Sequence, residues 1–161
     1  MGARRERPLL ASGQPAPRFT LPGLDGAQQS LAGLLRNGPV VLAFLKVSCP
    51  VCQFTFPYLE RIYSKSGLQL IAISQDNPPD TREFFAEFQC TFPALLDEED
   101  TFPVSNAYGI SHVPSIFEIE SDGVISASWD GWVKADMEAL ARRWSVKLFH
   151  PGDNVPVWKP G

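Results

Sequence analysis

Across 161 residues the chain has only three cysteines, two histidines and two methionines. Each shortage excludes something. Three cysteines cannot staple a chain of this length in the manner of a secreted disulfide scaffold. A lone close pair, Cys90, His112 and His150 fall short of the two CxxC-like pairs common in structural zinc sites. No segment approaches the roughly 18 consecutive apolar residues that a membrane-spanning helix needs. Basic residues are not in excess. Fourteen Lys and Arg stand against eighteen Asp and Glu, for a net charge of -4, so the chain has no general attraction to nucleic acid or anionic lipid. The one basic cluster, Arg4, Arg5 and Arg7, reads as a solvated terminal tail. The opening MGARRERPLLASGQPAPRF lacks the apolar stretch of a signal peptide. As given, the chain is expected to be cytoplasmic, with a periplasmic or membrane-tethered location open to a longer version of it.

What remains is ordinary globular material, 44% hydrophobic and 20% charged, in a length that suits one domain. Residues 1–14 read as a flexible tail, 15–146 as the folded domain and 147–161 as an irregular tail packed on it. Arg18 to Leu21 is a candidate strand, followed by a turn at Leu24-Asp25-Gly26. Ser30 can cap a short helix from Leu31 to Leu35, ended by Gly38-Pro39. Val40 to Val47, VVLAFLKV, is almost continuously apolar, as a central strand buried on both faces would be. A helix follows from Pro50 to about Ser64, with Phe54, Tyr58, Leu59 and Ile62 as its stripe and Pro57 as a kink. Leu68 to Ser74 is a second buried strand. Pro78 or Pro79 opens a helix with Phe84, Phe85 and Phe88 inward. After Ala94 to Leu96, the run Asp97 to Asp100 reads as a solvated acidic turn, and Val104 to Tyr108 as a short helix. Ser115 to Glu120 and Val124 to Trp129 form a hairpin about Asp122-Gly123. A last helix spans Asp136 to Val146, with Met137, Leu140, Ala141 and Trp144 inward. The order predicts an α/β fold in three layers, a central mixed sheet with helices on both faces.

Between the first buried strand and its helix stands Cys49-Pro50-Val51-Cys52. This places Cys49 at a helix N-terminus, where free backbone N–H groups and the positive end of the helix dipole favour a thiolate. Pro50 suits the first turn, since its missing N–H has no partner there anyway. Cys52 lies one turn on, within reach of a mixed disulfide formed at Cys49. Exchange through such an intermediate is the chemistry the pair can perform, with Cys49 as nucleophile and Cys52 as resolving thiol.

The chain resembles the thioredoxin-fold thiol–disulfide oxidoreductases, and among them the AhpC/TSA and TlpA/ResA-like branch. The resemblance covers roughly residues 15–146. It rests on APRFTLPGLDG, VVLAFLKVSCPVC, LIAISQD, TFPALLD and YGISHVPSIFEIESDG. It implies a thioredoxin-like fold, a protein or small-molecule thiol or disulfide as partner, and no prosthetic cofactor; the chain itself is expected to be a monomer. It also implies a cis bond at Val113-Pro114 facing the cysteines, with the Val113 backbone pairing with an extended substrate segment. Three positions depart from the family. Ser48 stands where many relatives have tryptophan. Ala43 stands where thioredoxins carry a buried aspartate. Thr55 stands where ResA-like members have glutamate. Lys46 and Glu118 are the ionisable candidates to replace those groups, Lys46 either as support for a Cys49 thiolate or as an ordinary strand-end lysine in solvent.

Two other chemistries compete. Peroxiredoxins share the fold, but their P-x-x-x-T/S-x-x-C pattern fits neither cysteine: Leu42 and Lys46 precede Cys49, and Leu45 and Cys49 precede Cys52. No arginine lies between Arg82 and Arg142 to polarise a peroxide. A copper carrier using Cys49, Cys52 and His112 is the weaker rival, and no metal site is expected. Cys90 reads as a small buried residue at a helix end. Trp129 and Trp132 read as packing residues rather than a substrate groove.

Overall fold

A computed structural model describes residues 8–161. The basic cluster at Arg4, Arg5 and Arg7 lies outside the described residues. Chain order gives β1 (Thr20–Pro22), β2 (Gln28–Ser30), α1 (Leu31–Leu35), β3 (Val40–Leu45), α2 (Pro50–Ser64), β4 (Leu70–Ser74) and α3 (Pro78–Glu87). Then come β5 (Ala94–Leu96), α4 (Pro103–Ala107), β6 (Ser115–Ile119), β7 (Ile125–Asp130), β8 (Trp132–Val133), α5 (Lys134–Arg143) and β9 (Trp158–Lys159).

The five-stranded sheet has the order β5-β4-β3-β6-β7. β3, β4 and β5 run parallel, and β6 and β7 join antiparallel. β3 is the middle strand, and all six of its residues are buried. Its apolar run is continuous because each face meets its own core. Val41, Ala43 and Leu45 point to one side, where α2, α3 and α5 supply Phe56, Leu59, Ile62, Phe84, Met137 and Leu140. Val40, Leu42 and Phe44 point to the other, where α1, α4 and Tyr108 close the layer. The three-layer α/β arrangement is the expected one.

The differences from expectation have local causes. The strand read as Val40 to Val47 ends at Leu45, because Lys46 is exposed and the chain turns toward the cysteines. Polar Gln28–Ser30 pairs with β1 as a hairpin, without any alternating pattern to announce it. α2 continues through Pro57, whose side is exposed. α5 begins two residues early and stops at Arg143, leaving Trp144 half-buried as its C-cap and Ser145 in the left-handed region at φ 59°.

Asp97 corrects the reading of a solvated acidic turn. It is buried, and its carboxylate accepts bonds from the backbone N–H groups of Glu98, Val104 and Ser105 and from the Ser105 hydroxyl. It satisfies the open N-terminus of α4, where Phe102 offers no capping side chain. Only Glu98, Glu99 and Asp100 face solvent.

Part of the stretch read as a loose N-terminal tail is held on the fold. Leu10 N–H donates to Tyr108 O, Gly13 N–H to Ile125 O, and the Ser128 hydroxyl to Leu10 O. At the other end, the tail is irregular until β9, which pairs antiparallel with β8.

Candidate active site

The parallel strands β3 and β4 end together, Leu45 beside Ser74. Loops leaving the carboxyl ends of adjacent parallel strands converge, and such ends are where α/β folds build sites. From β3 the chain passes through Lys46 to Ser48 and enters α2 at Cys49.

Cys49 is the N-cap of α2, half-buried, with extended backbone. Its Sγ accepts the Cys52 N–H at 3.2 Å. Pro50 occupies the first helical turn, as its missing N–H allows. The Cys49 thiol is lowered from 9.0 to about 6. A hydrogen bond from the Cys52 thiol contributes most. Burial opposes it, and the backbone N–H groups of Cys52 and Val51 add to it. Cys52 is fully buried and shifts the other way. Burial pushes its thiol up, and its bond to Cys49 adds to that. Two thiols one turn apart are therefore set to opposite protonation states: Cys49 ionised near neutral pH and Cys52 holding its proton.

The Val113–Pro114 peptide bond is cis. It closes the turn into β6 and brings the Val113 carbonyl oxygen to 3.2 Å from Cys49 Sγ, where the Cys49 thiol donates to it. This bond and the one from Cys52 N–H select opposite states. The carbonyl holds a thiol, whereas the N–H holds a thiolate.

The supporting candidates separate. The Lys46 side chain is exposed, and what reaches the site is its carbonyl, which accepts the Cys49 N–H at 3.0 Å. Val51 contributes its backbone N–H, as above. Thr55 is completely buried one turn beyond Cys52, and its hydroxyl oxygen has no hydrogen-bond partner. Glu118 does not belong to the site. It lies four residues along β6 from Pro114, about 13 Å, and pairs with Arg143 at 3.2 Å. Burial raises its carboxyl, and Arg143 opposes that. His112 is exposed, with Nδ1 3.7 Å from Asp130 Oδ2. Among the described residues no group of three or more His, Cys, Asp or Glu side chains is arranged to hold a metal ion, so Cys49, Cys52 and His112 do not converge as a copper set. Trp129 and Trp132 are both buried. Trp132 packs edge-on to Phe54 at 4.8 Å between ring centroids.

One acid escaped the sequence reading. Asp76 follows β4 and accepts the Val47 N–H at 2.8 Å, tying down the loop that delivers Cys49. Its charge also acts on Cys52, raising it. The register of two parallel buried strands was the available signal, since it sets whatever follows Ser74 beside whatever follows Leu45.

Comparison with known proteins gives the chain a family and a fold. The family model described as AhpC/TSA matches residues 12–128. The chain belongs to the AhpC/TSA family. Within its reach, the thiol-disulfide oxidoreductase ResA of Geobacillus thermodenitrificans is 35% identical over 124 residues, 74% of this chain and 70% of that protein. The thioredoxin domain of a thiol-disulfide oxidoreductase from Bacteroides vulgatus superposes with a TM-score of 0.72 at 24% identity, covering 83% of this chain and 97% of that one. The peroxidoxin BcpB of Mycobacterium tuberculosis superposes at 0.67 with 20% identity, over 82% of this chain and 94% of that one. Both likenesses show the thioredoxin fold. No helix among the described residues is long and apolar enough to cross a membrane.

Proposed function

We propose that Cys49 and Cys52 exchange a dithiol for a disulfide with a protein or small-molecule thiol partner. The protein is a thiol–disulfide oxidoreductase, like the ResA proteins it is similar to. The observation that carries this reading is the N-cap position of Cys49, whose sulfur accepts the Cys52 N–H while the buried Cys52 thiol waits one turn behind.

In the reducing direction, the Cys49 thiolate attacks one sulfur of the partner disulfide. That S–S bond breaks, the first partner thiolate leaves and takes a proton, and a mixed disulfide joins Cys49 to the other half. Cys52 then gives up its proton and attacks Cys49 Sγ. The Cys49–Cys52 bond forms, the second partner thiolate departs, and two electrons have passed to the partner. The oxidising direction is the reverse. Once Cys49 is tied to a partner, its charge and its bond to the Cys52 thiol are both gone. Two of the influences that keep Cys52 protonated go with them, which favours resolution. Val113 and Pro114 form the ledge beside the sulfur on which a partner segment rests. Pro50 and Val51 shape the helix terminus, Lys46 acts through its carbonyl, and Thr55 packs behind the pair.

The test is titration of the protein in graded thiol/disulfide buffers, with alkylation and peptide mass readout. A reversible Cys49–Cys52 disulfide is expected, and Cys52→Ser should trap mixed disulfides on Cys49. Trapping on Cys90 would count against these roles, and oxidation of Cys49 by peroxide to a sulfenic acid with no disulfide to Cys52 would replace this reading with a peroxidase one.

A further inference from the structure

The carboxy-terminal segment reaches the same ledge. It is tied down on the way by Trp132 Nε1–H donating to Pro156 O at 2.7 Å and by Lys134 N–H donating to Val157 O at 3.0 Å. β9 then runs beside β8, with Trp132 opposite Lys159 and Val133 opposite Trp158. The Lys159 ammonium stands 5.1 Å from the centre of the Phe54 ring, on the helix that Cys49 caps. Beyond it, Gly161 lies so close to the cis turn that a Cβ built on it would be 2.7 Å from the Val113 carbonyl oxygen and 3.2 Å from His112 Cβ. That carbonyl is the one bonded to Cys49 Sγ. Gly131 completes the convergence. Its N–H donates to Pro114 O at 2.8 Å, its φ is +70°, and a Cβ there would collide with the Lys159 carbonyl.

We propose that residues 158–161 form a strap that decides which disulfides reach Cys49, admitting compact ones and making protein segments displace it. The proposal rests on the exchange reading above. A sulfur that attacks or is attacked by Cys49 must come within bonding distance of Sγ, so whatever chain flanks it passes over the Val113 backbone. A small disulfide brings almost no flanking chain. A cystine in a polypeptide brings a backbone on each side, and on the Val113 side that space is held by the strap. Its attachment is slight, a two-residue ladder and one ring contact, so a protein partner can lift it at a cost paid in rate. Trp158 and Val157 sit 61% and 75% exposed on this segment, consistent with a ribbon resting on the domain rather than built into its core.

The experiment compares the full chain with one ending at Val157. The shortened chain keeps the Pro156 and Val157 carbonyls that anchor the tail to Trp132 and Lys134. Single-turnover oxidation of each reduced protein is followed with two probes, dithiobis-nitrobenzoate as the compact disulfide and insulin as the protein one. The shortened chain is expected to react about tenfold faster with insulin, the size one or two net hydrogen bonds set in a rate. Its rate with the compact probe should stay within about twofold, since that probe does not contact the strap. Gly131→Ala keeps every strap residue but forces it off by collision, and should shift the insulin-to-compact ratio in the same direction. A ratio unmoved by both changes, with the compact probe still reacting, overturns the strap alone. Failure of the full chain to react with either probe overturns the exchange reading, and the strap with it.

Discussion

Cys49 and Cys90 are the same side chain at opposite kinds of helix end. Cys49 caps the N-terminus of α2, and its thiol is lowered to about 6. Cys90 follows the C-terminus of α3, just past Gln89 in the left-handed region at φ 55°, with its N–H on Phe85 O. Burial pushes its thiol up to about 12, and the nearby Glu60 charge adds to that. At one end the Cys52 N–H donates to the sulfur, and at the other the sulfur donates to the Phe88 carbonyl at 3.6 Å. Depth of burial and the partners each sulfur meets, more than residue type, separate a reagent from a filler.

That contrast can be broken most drastically by Cys49→Ser, which should abolish exchange while Cys90→Ser leaves it near the original rate, read with the compact disulfide. Next in size is alkylation. At pH 7 the thiolate fraction of Cys49 should exceed that of Cys90 by about 10⁴–10⁵, from the two pKa values. Residue-resolved alkylation against pH should show Cys49 rising through about pH 6 and levelling above it, with Cys90 silent across the neutral range. Cys52→Ala sharpens the point further. It removes the donor that contributes most to the Cys49 shift but leaves the backbone N–H groups, so the alkylation midpoint should move upward from about 6. A midpoint that does not move would assign the whole effect to the helix terminus.

The same lesson holds for buried oxygens, with smaller effects. Asp97 is fully engaged by four donors, and Asp97→Ala should cost about 2–3 kcal/mol in denaturant unfolding, because it leaves the α4 N–H groups buried without partners. Thr55 has a buried hydroxyl with no partner, so Thr55→Val should be neutral or raise stability by up to about 1 kcal/mol. Loss of stability on that change would show that the hydroxyl is satisfied in solution.

These cases also mark what could be read from the residues. VVLAFLKV and LQLIAIS announced two buried strands because parallel central strands are apolar on both faces, and CPVC was placed by the strand before it and the helix after it. Burial of an acid is another matter. Asp97 is one of four consecutive acidic residues, and only the fold decides which of them turns under α4. Asp76 and the tail came to the site through pairing, Leu45 beside Ser74 and Trp132 beside Lys159, and pairing across 29 or 27 positions leaves no local pattern. Glu118, a candidate to replace the acid/base groups that other members carry, is carried away from Pro114 by strand geometry, at about 3.3 Å per residue.

β3 has a strand bonded on each side and a core against each face. A segment so placed opens only when the whole domain does. Cys49 lies four residues past its end, its N–H held by the Lys46 carbonyl and the Val47 N–H before it held by Asp76 beyond β4. Loosening of the buried Cys52 by heat is therefore expected to accompany loss of the sheet it packs on. Inactivation and melting should fall on one curve, and a sample that retains its fold retains its chemistry.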